Sequence, residues 1–534
     1  MGDARLMPRR APLLVGYVVA TFLAFPHPIA GRVLDLGLLC AWLSPGLLLL
    51  GLEGLPPRRA FRTGFVAALA AHAAIFHWIY VVTVVYGHAP PVVGVIGPLG
   101  LGAYMAAFTA LFALGMAWLA RWNAVTPWSA ALLWAALDHL RSFALTGLPW
   151  ATLGYAQHLN DALRPWTAFT GVYGLSFLSV LGGAALAFGA RDLRAGRRPT
   201  WGTGLALGTV VAAHVFGFVI GRGVAPDPGS SVRLAVLQGN IEQGVKWDPA
   251  WAERTLGIYE ELSRRAAAEG AELVIWPETA VPGVLEADPE QRERLWDLAR
   301  ETGASFVLGV VGIDASRPGR RPLFFDSALV LEADRGFTER YDKSHLVPFG
   351  EYLPFAELLE GLRAVASGIA SEGVTPGPAP RAVQISVPEA GPLTVGVPIC
   401  YELIFPDLVR RFVRDGAEVL FGITNDAWYG RTGAPYQFLA ITALRSAETR
   451  VWTARAANTG VSAIIDAGGR VRARTRIFER DLLVYDVPLR PGPAGGSFYT
   501  RHGDVFAWGC WLGSLLLFAA ARFRATGNGV GESS

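Results

Sequence analysis

Lysine is almost missing from this chain. Of the 47 lysines and arginines in 534 residues, only Lys246 and Lys343 are lysines. Wherever a generic positive charge suffices the sequence writes arginine. A retained lysine therefore marks a position where a compact ammonium is needed and a planar guanidinium does not serve. Cysteine is scarce too, with three in the chain, and Cys400 has no obvious disulfide partner. Charged residues make up 17% of the chain against 52% hydrophobic, with a mean hydropathy of +0.34, which excludes an ordinary soluble protein of this size. The net charge of +3 is spread over loop arginines and gives no reason to invoke nucleic acid.

What the chain has instead is apolar length. Segments of roughly 20 apolar residues, enough to cross ~30 Å of hydrocarbon, begin near Ala11, Gly31, Gly64, Pro91, Val125, Pro165 and Trp201, and an eighth runs from about Val505 to Ala521. Between Gly221 and Gly503 charge density is normal, and apolar strands alternate with charged amphipathic segments, the pattern of a water-facing α/β domain. The expected organisation is a seven-helix membrane domain over 1–221, a water-facing α/β domain over 222–503, and a last helix and tail over 504–534. Alternate loops are basic. Arg5, Arg9 and Arg10 precede the first helix; Arg58, Arg59 and Arg62 follow the second; Arg121 follows the fourth; Arg191, Arg194, Arg197 and Arg198 follow the sixth; Arg522 and Arg524 follow the eighth. Because such residues are retained on the cytoplasmic side, seven crossings put the soluble domain outside the cytoplasm. If helix five, interrupted by Asp138, His139 and Arg141, failed to span, everything after it would invert; the basic loops before helix five and after helix six agree with a full crossing. The basic, apolar N-terminus lacks a small-residue cleavage site and reads as a retained first helix rather than a signal peptide.

Cys40 and Cys510 fall inside membrane segments, so Cys400 is a lone thiol outside the cytoplasm. That is a liability unless its reactivity is used; the bland alternative is a small buried hydrophobe. Cys400 ends the apolar run in GVPICYELIF, residues 396–405. In AELVIWPETA, residues 271–280, a strand ends in Trp276-Pro277-Glu278, and a carboxylate there sits where α/β folds place their chemistry, although Pro-Glu is also a common helix start. ERYDKSHLVPFGEYLP, residues 339–354, holds Lys343 and Glu351.

A strand-end Glu, a Lys and a strand-end Cys in this order resemble the Glu-Lys-Cys triad of the nitrilase superfamily. The resemblance implies an αββα sandwich, with Cys400 as nucleophile, Glu278 as its general base and Lys343 as donor to the oxyanion. With the membrane segments added, the chain resembles the apolipoprotein N-acyltransferase family over nearly its whole length. LQGNIEQGVKWDP (237–249), WPETA (276–280), YDKSHLVPFGEYLP (341–354), ICYE (399–402) and TNDAWYG (424–430) carry that likeness. It implies a multi-pass protein of the bacterial inner membrane with a periplasmic catalytic domain and no metal or cofactor. Its acyl donor would be a phospholipid. The acceptor would be the α-amino group of a diacylglyceryl-modified apolipoprotein. Membrane lipid is then both solvent and substrate. Glu351 would hold Lys343, Glu402 would tune the pocket or the arriving amine, and Tyr401 would offer a backbone N–H to the oxyanion. Trp247 and Trp428 either line the acyl path or pack at the interface. Tyr352 to Ala370 is either a membrane-lying lid or an amphipathic helix packed on the domain. The rival readings are a membrane-tethered amidase or nitrilase with water as acceptor, and a transporter or lipid-binding protein without catalysis.

Overall fold

The computed structural model describes residues 7–222, 230–246, 248–316, 321–354, 373–489 and 496–528. It forms two compact units, the first of Met1–Ile79, Val95–Gly223 and His502–Ser534, the second of Tyr80–Gly94 and Val224–Arg501.

In the first unit, the described helices follow the apolar segments but not their expected lengths. Among the described residues, five helices are long and apolar enough to cross a membrane: Pro57–Tyr86, Pro91–Ala120, Val172–Arg194, Trp201–Gly221 and Val505–Phe523. Two more, Arg10–Leu23 and Gly37–Leu52, are shorter. The expectation of eight full-length spans is therefore not met by length and composition. The segment expected from Gly31 opens as a hairpin, β1 (His27–Ile29) paired antiparallel with β2 (Arg32–Leu34). Ala30 and Gly31 make the turn at φ 50 and 75. The helix behind it, Gly37–Leu52, has 16 residues, about 24 Å at 1.5 Å per residue. The segment expected from Pro165 begins as a short 3-10 turn, Arg164–Trp166, and its long helix starts only at Val172, after Gly171. The charges that interrupt the fifth segment pair with each other. Arg141 Nη2 lies 3.0 Å from Asp138, both side chains 5% exposed, on the 15-residue helix Pro127–Arg141. Gly46 and Gly183 let Gly37–Leu52 and Val172–Arg194 nearly touch. A Cβ on Gly183 would meet the Trp42 carbonyl oxygen at 2.2 Å, close packing of the kind small residues permit between apolar helices.

In the second unit, twelve strands form two six-stranded sheets. In the first, the strand order is β14-β3-β4-β5-β6-β7. Its strands are β3 (Ser231–Gln238), β4 (Leu273–Ile275), β5 (Ser305–Asp314), β6 (Leu323–Glu332), β7 (Gly336–Asp342) and β14 (Asp481–Pro488). The order in the second is β13-β12-β11-β10-β9-β8. It is built of β8 (Val383–Val387), β9 (Gly391–Gly396), β10 (Val419–Thr424), β11 (Trp452–Ala457), β12 (Ala463–Ile465) and β13 (Val471–Arg474). Each sheet has a parallel centre, β3-β4-β5 in one and β9-β10-β11 in the other, with antiparallel strands on the flanks. The central strands β4 and β10 are buried throughout, as strands covered on both faces must be.

The helices Pro249–Ala268 and Pro289–Thr302 cover one sheet, packing Leu256, Tyr259, Leu262, Leu295 and Leu298 against Val274, Phe306 and Leu308. Over the other sheet, Leu439 and Ala443 of helix Ala434–Thr449 meet Ala463 and Ile465. Polar side chains join the two sheets: Gln238 on β3 accepts from Ser462 Oγ at 2.8 Å and Thr475 Oγ1 at 2.7 Å, and Ser386 N donates to Glu332 at 2.9 Å. The layers thus run helix, sheet, sheet, helix. Glu278, Cys400 and Asn425 follow the parallel strands β4, β9 and β10, and Lys343 follows the antiparallel edge strand β7.

Candidate active site

Glu278 follows β4 by way of a rigidly held turn. Trp276 is fully buried, stacks on Tyr259 with ring centroids 4.9 Å apart, and donates its indole N–H to Ser263 Oγ at 3.0 Å. Pro277 and Glu278 then cross β5 so closely that a Cβ on Gly309 would lie 2.0 Å from the Pro277 carbonyl oxygen. Only glycine fits there. Cys400 follows β9 and opens a short 3-10 turn, Cys400–Ile404, with φ 47, in the left-handed region where a residue with a Cβ is strained. Such strain persists where surrounding structure holds it, and it gathers at reactive positions.

What holds it is Glu402. This fully buried carboxylate accepts Ile399 N on Oε2 at 2.8 Å. On Oε1 it accepts Tyr341 Oη, Ser344 N and Ser344 Oγ, each at 2.7 Å, and His345 N at 3.2 Å. It ties the cysteine turn to the segment that carries Lys343. With both oxygens so bonded it acts as a clamp between the two segments.

Lys343 follows β7 and is wholly buried. Its Nζ donates to Glu351 Oε1 at 2.5 Å, Asp326 Oδ2 at 3.1 Å and Glu278 Oε1 at 3.2 Å. An ammonium has three protons, and all three are engaged. Glu351 also accepts Val347 N on its other oxygen at 2.8 Å, which fixes the apolar loop behind the lysine, with Phe349 standing 54% exposed at its tip. Glu278 Oε2 accepts Asn425 N at 2.7 Å from the carboxyl end of β10. The neighbouring Asp426 pairs with Arg455 at 2.8 Å, both buried, and sets the TNDAWYG loop on the second sheet.

The electrostatics follow from burial and from this charge array. Burial pushes Glu278 up, but the ammoniums of Lys343 and Lys246 and a hydrogen bond with Asp326 outweigh it and hold the carboxyl down to about 2. Burial works against the Lys343 ammonium, and the carboxylates of Glu351 and Glu278 overcome it and raise the lysine well above its usual value. Burial also raises the Cys400 thiol, and the Glu278 charge adds to it against the opposing pull of Lys343, so the sulfur rests as a thiol.

The structure brings together Glu278, Lys343, Cys400, Glu351, Tyr401 and Glu402. Trp428 is half-buried and meets Tyr86 edge-on at 6.4 Å; Tyr86 ends a π-helical turn, Val81–Tyr86, that belongs to this unit. Trp247, and all but the first residues of the segment Tyr352 to Ala370, lie outside the described residues. Two members of the cluster escape motif reading. Lys246, buried, donates to the Glu278 carbonyl at 3.1 Å and Thr279 Oγ1 at 2.6 Å, so both lysines of the chain converge on Glu278. Burial, only partly offset by Glu278, lowers it to about 8. Its rarity is the signal that could have found it. Asp326 lies within the buried strand LFFDSALVLE, where a lone carboxylate is itself a signal.

Residues 233–490 match the carbon-nitrogen hydrolase family, and residues 19–185 match the apolipoprotein N-acyltransferase N-terminal domain. A carbon-nitrogen hydrolase fold with a buried cysteine, lysine and glutamate at its strand ends, in a chain of long apolar helices, defines a membrane-bound relative of the nitrilases. Over 98% of its length the chain is 38% identical to the apolipoprotein N-acyltransferase of Geobacter metallireducens, covering 97% of that protein. It is 34% identical to that of Azotobacter vinelandii over 87% of this chain and 88% of the other. The chain belongs to the apolipoprotein N-acyltransferase family. An amidase structure from Nesterenkonia sp. is a looser likeness, 20% identical over 54% of this chain and 98% of its own, with a TM-score of 0.37.

Proposed function

We propose that this chain moves a fatty acyl group from a phospholipid, by way of a thioester on Cys400, to the α-amino group of the N-terminal diacylglyceryl-cysteine of apolipoproteins. Family membership over the whole chain supports the overall reaction. The observation that carries the mechanism is the strained Cys400 turn clamped by Glu402 beside Glu278 and Lys343.

In the first half-reaction the Cys400 thiol gives its proton to Glu278 as its sulfur attacks the ester carbonyl carbon; a C–S bond forms and the carbonyl oxygen takes the negative charge. Because the resting sulfur is a thiol, proton transfer and attack proceed together. Lys343 has no idle proton at rest. Once Glu278 is protonated it is a weaker acceptor, and its 3.2 Å bond, the longest of the three, is the one released toward the oxyanion. The backbone N–H of Tyr401 is a second donor. Collapse breaks the C–O bond, and the proton on Glu278 passes to the departing lysophospholipid oxygen. In the second half-reaction the acceptor amine attacks the thioester carbon, Glu278 takes a proton from the nitrogen, and the sulfur leaves as the thiol with that proton. Glu351 holds Lys343 in place throughout.

Trp428, and Trp247 with it, are assigned to the path of the acyl chain. Eight membrane crossings, with the catalytic domain over 222–503 on the periplasmic face between domains at 1–221 and 504–534, accommodate the arginine distribution, with the helices shorter than 20 residues among the crossings. Both substrates are held in the membrane by their acyl chains at ~0.8 kcal/mol per buried methylene, so the enzyme must meet them there. Incubation of the purified protein with phospholipid alone, followed by mass spectrometry, tests the reading: an acyl adduct on Cys400 that a diacylated lipopeptide with a free α-amine discharges is expected. Release of free fatty acid without an amine acceptor would instead place the chain with the amidases.

A further inference from the structure

Carboxylate oxygens of Glu278, Asp326 and Glu351 lie within 4.8 Å of one another, with Glu278 and Asp326 both buried and both bonded to Lys343 Nζ. Two buried carboxyl groups held this close on one ammonium do not both ionise. We infer that Glu278 and Asp326 share a single proton in the resting enzyme, that it resides on Asp326, and that Asp326 is the positioning residue that aims the Glu278 carboxylate.

Three observations assign the proton. Glu278 receives the Asn425 N–H and a Lys343 N–H, donors that favour an anion. Asp326 receives only a Lys343 N–H, on Oδ2, while its buried Oδ1 meets no protein donor among the described residues. An oxygen so placed is satisfied by carrying a proton itself. The charges agree. The groups facing Asp326 are Glu278, Lys343 and Glu351, with Lys246 beyond. Two ammoniums balance Glu278 and Glu351, and a third carboxylate would leave the cluster negative beside Cys400. Burial and the Glu278 charge act in the same direction on Asp326. A neutral acid at this position donates to Glu278 without competing with it for the thiol proton.

The role in turnover rests on the acyl-transfer reading, but the proton does not, and the test separates them. Infrared difference spectroscopy of the resting enzyme at neutral pH, wild type minus Asp326→Asn, should contain the carbonyl stretch of one neutral carboxylic acid. Asp326→Asn, which keeps a neutral donor, should transfer acyl groups within about tenfold of wild type, and Asp326→Ala should lose about 10²-fold or more. Absence of the acid band overturns the shared proton whatever the activity. A folded Asp326→Asn protein that forms no thioester overturns the positioning role. A wild-type enzyme that has the band but acylates no amine leaves the proton in place and removes the transferase reading.

Discussion

Glu278 Oε1 stands 3.2 Å from Lys343 Nζ, the longest of the three bonds that this buried ammonium makes. In the proposed mechanism this pair joins the base to the oxyanion donor, which calls for a compact point of charge at 343. Lys343→Arg keeps the charge but places a planar fork where three acceptors converge on one nitrogen. Acyl transfer should fall by about 10²- to 10³-fold. A rate near wild type would show that the oxyanion role belongs elsewhere.

The division of labour between Cys400 and Glu278 is visible in the first half-reaction alone. Mass spectrometry after incubation with phospholipid should find no adduct on Cys400→Ala. In Glu278→Gln, both formation and amine-driven discharge of the thioester should slow, since one carboxyl serves both proton transfers. An adduct on Cys400→Ala would remove the mechanism.

Stability should respond to pH through Asp326. The unfolded chain loses this proton near the ordinary 3.8, whereas the folded chain holds it to higher pH. Stability from this group is therefore full below 3.8 and is lost as pH rises toward the folded value. Asp326→Asn should raise Tm at pH 7 and leave it unchanged at the acid end of the folded range. An equal shift at every pH would point to packing instead.

Glu402→Gln should cost more stability than its isosteric shape suggests. Five donors converge on this buried carboxylate, and an amide nitrogen facing any of them leaves donors opposed, a penalty of about 1–3 kcal/mol. Thermal unfolding in detergent checks the size. A matching loss of thioester formation at temperatures where the variant stays folded would tie the clamp to the strained Cys400 turn.

Orientation is open to labelling. Ser316 is exposed, and a cysteine placed there in a Cys400→Ala background should react with a membrane-impermeant thiol reagent added from the periplasmic side. Labelling seen only after the inner membrane is permeabilised would reverse the topology.

Strand-end residues and a scarce lysine were the legible part of this chain. Glu278 and Cys400 each close an apolar run and Lys343 stands out by rarity, and the alternation of strands with amphipathic helices foretells the sheets that bring them together. Asp326 was legible only as a lone carboxylate in an apolar strand, because its partner is set by the strand register that places it against Lys343. Lys246 was conspicuous by rarity, yet its target, a backbone carbonyl at Glu278, leaves no trace in the sequence. Hydropathy misjudged the helices for a related reason. An apolar window records that a segment avoids water and is blind to a turn at Ala30–Gly31, or to an ion pair such as Asp138–Arg141 that neutralises its own charges.

The unit that carries Cys400 is discontinuous. Tyr80–Gly94, from the junction of two long apolar helices, belongs to it together with Val224–Arg501. A gene fragment cut at Val224 and Arg501 would omit Tyr86, the ring that meets Trp428, and with it a segment of the unit's own fold. The reaction centre is thus not a detachable cassette. A soluble version would need residues 80–94 grafted back by a linker, and a recombination that exchanges the helices alone would carry part of the catalytic unit away with them.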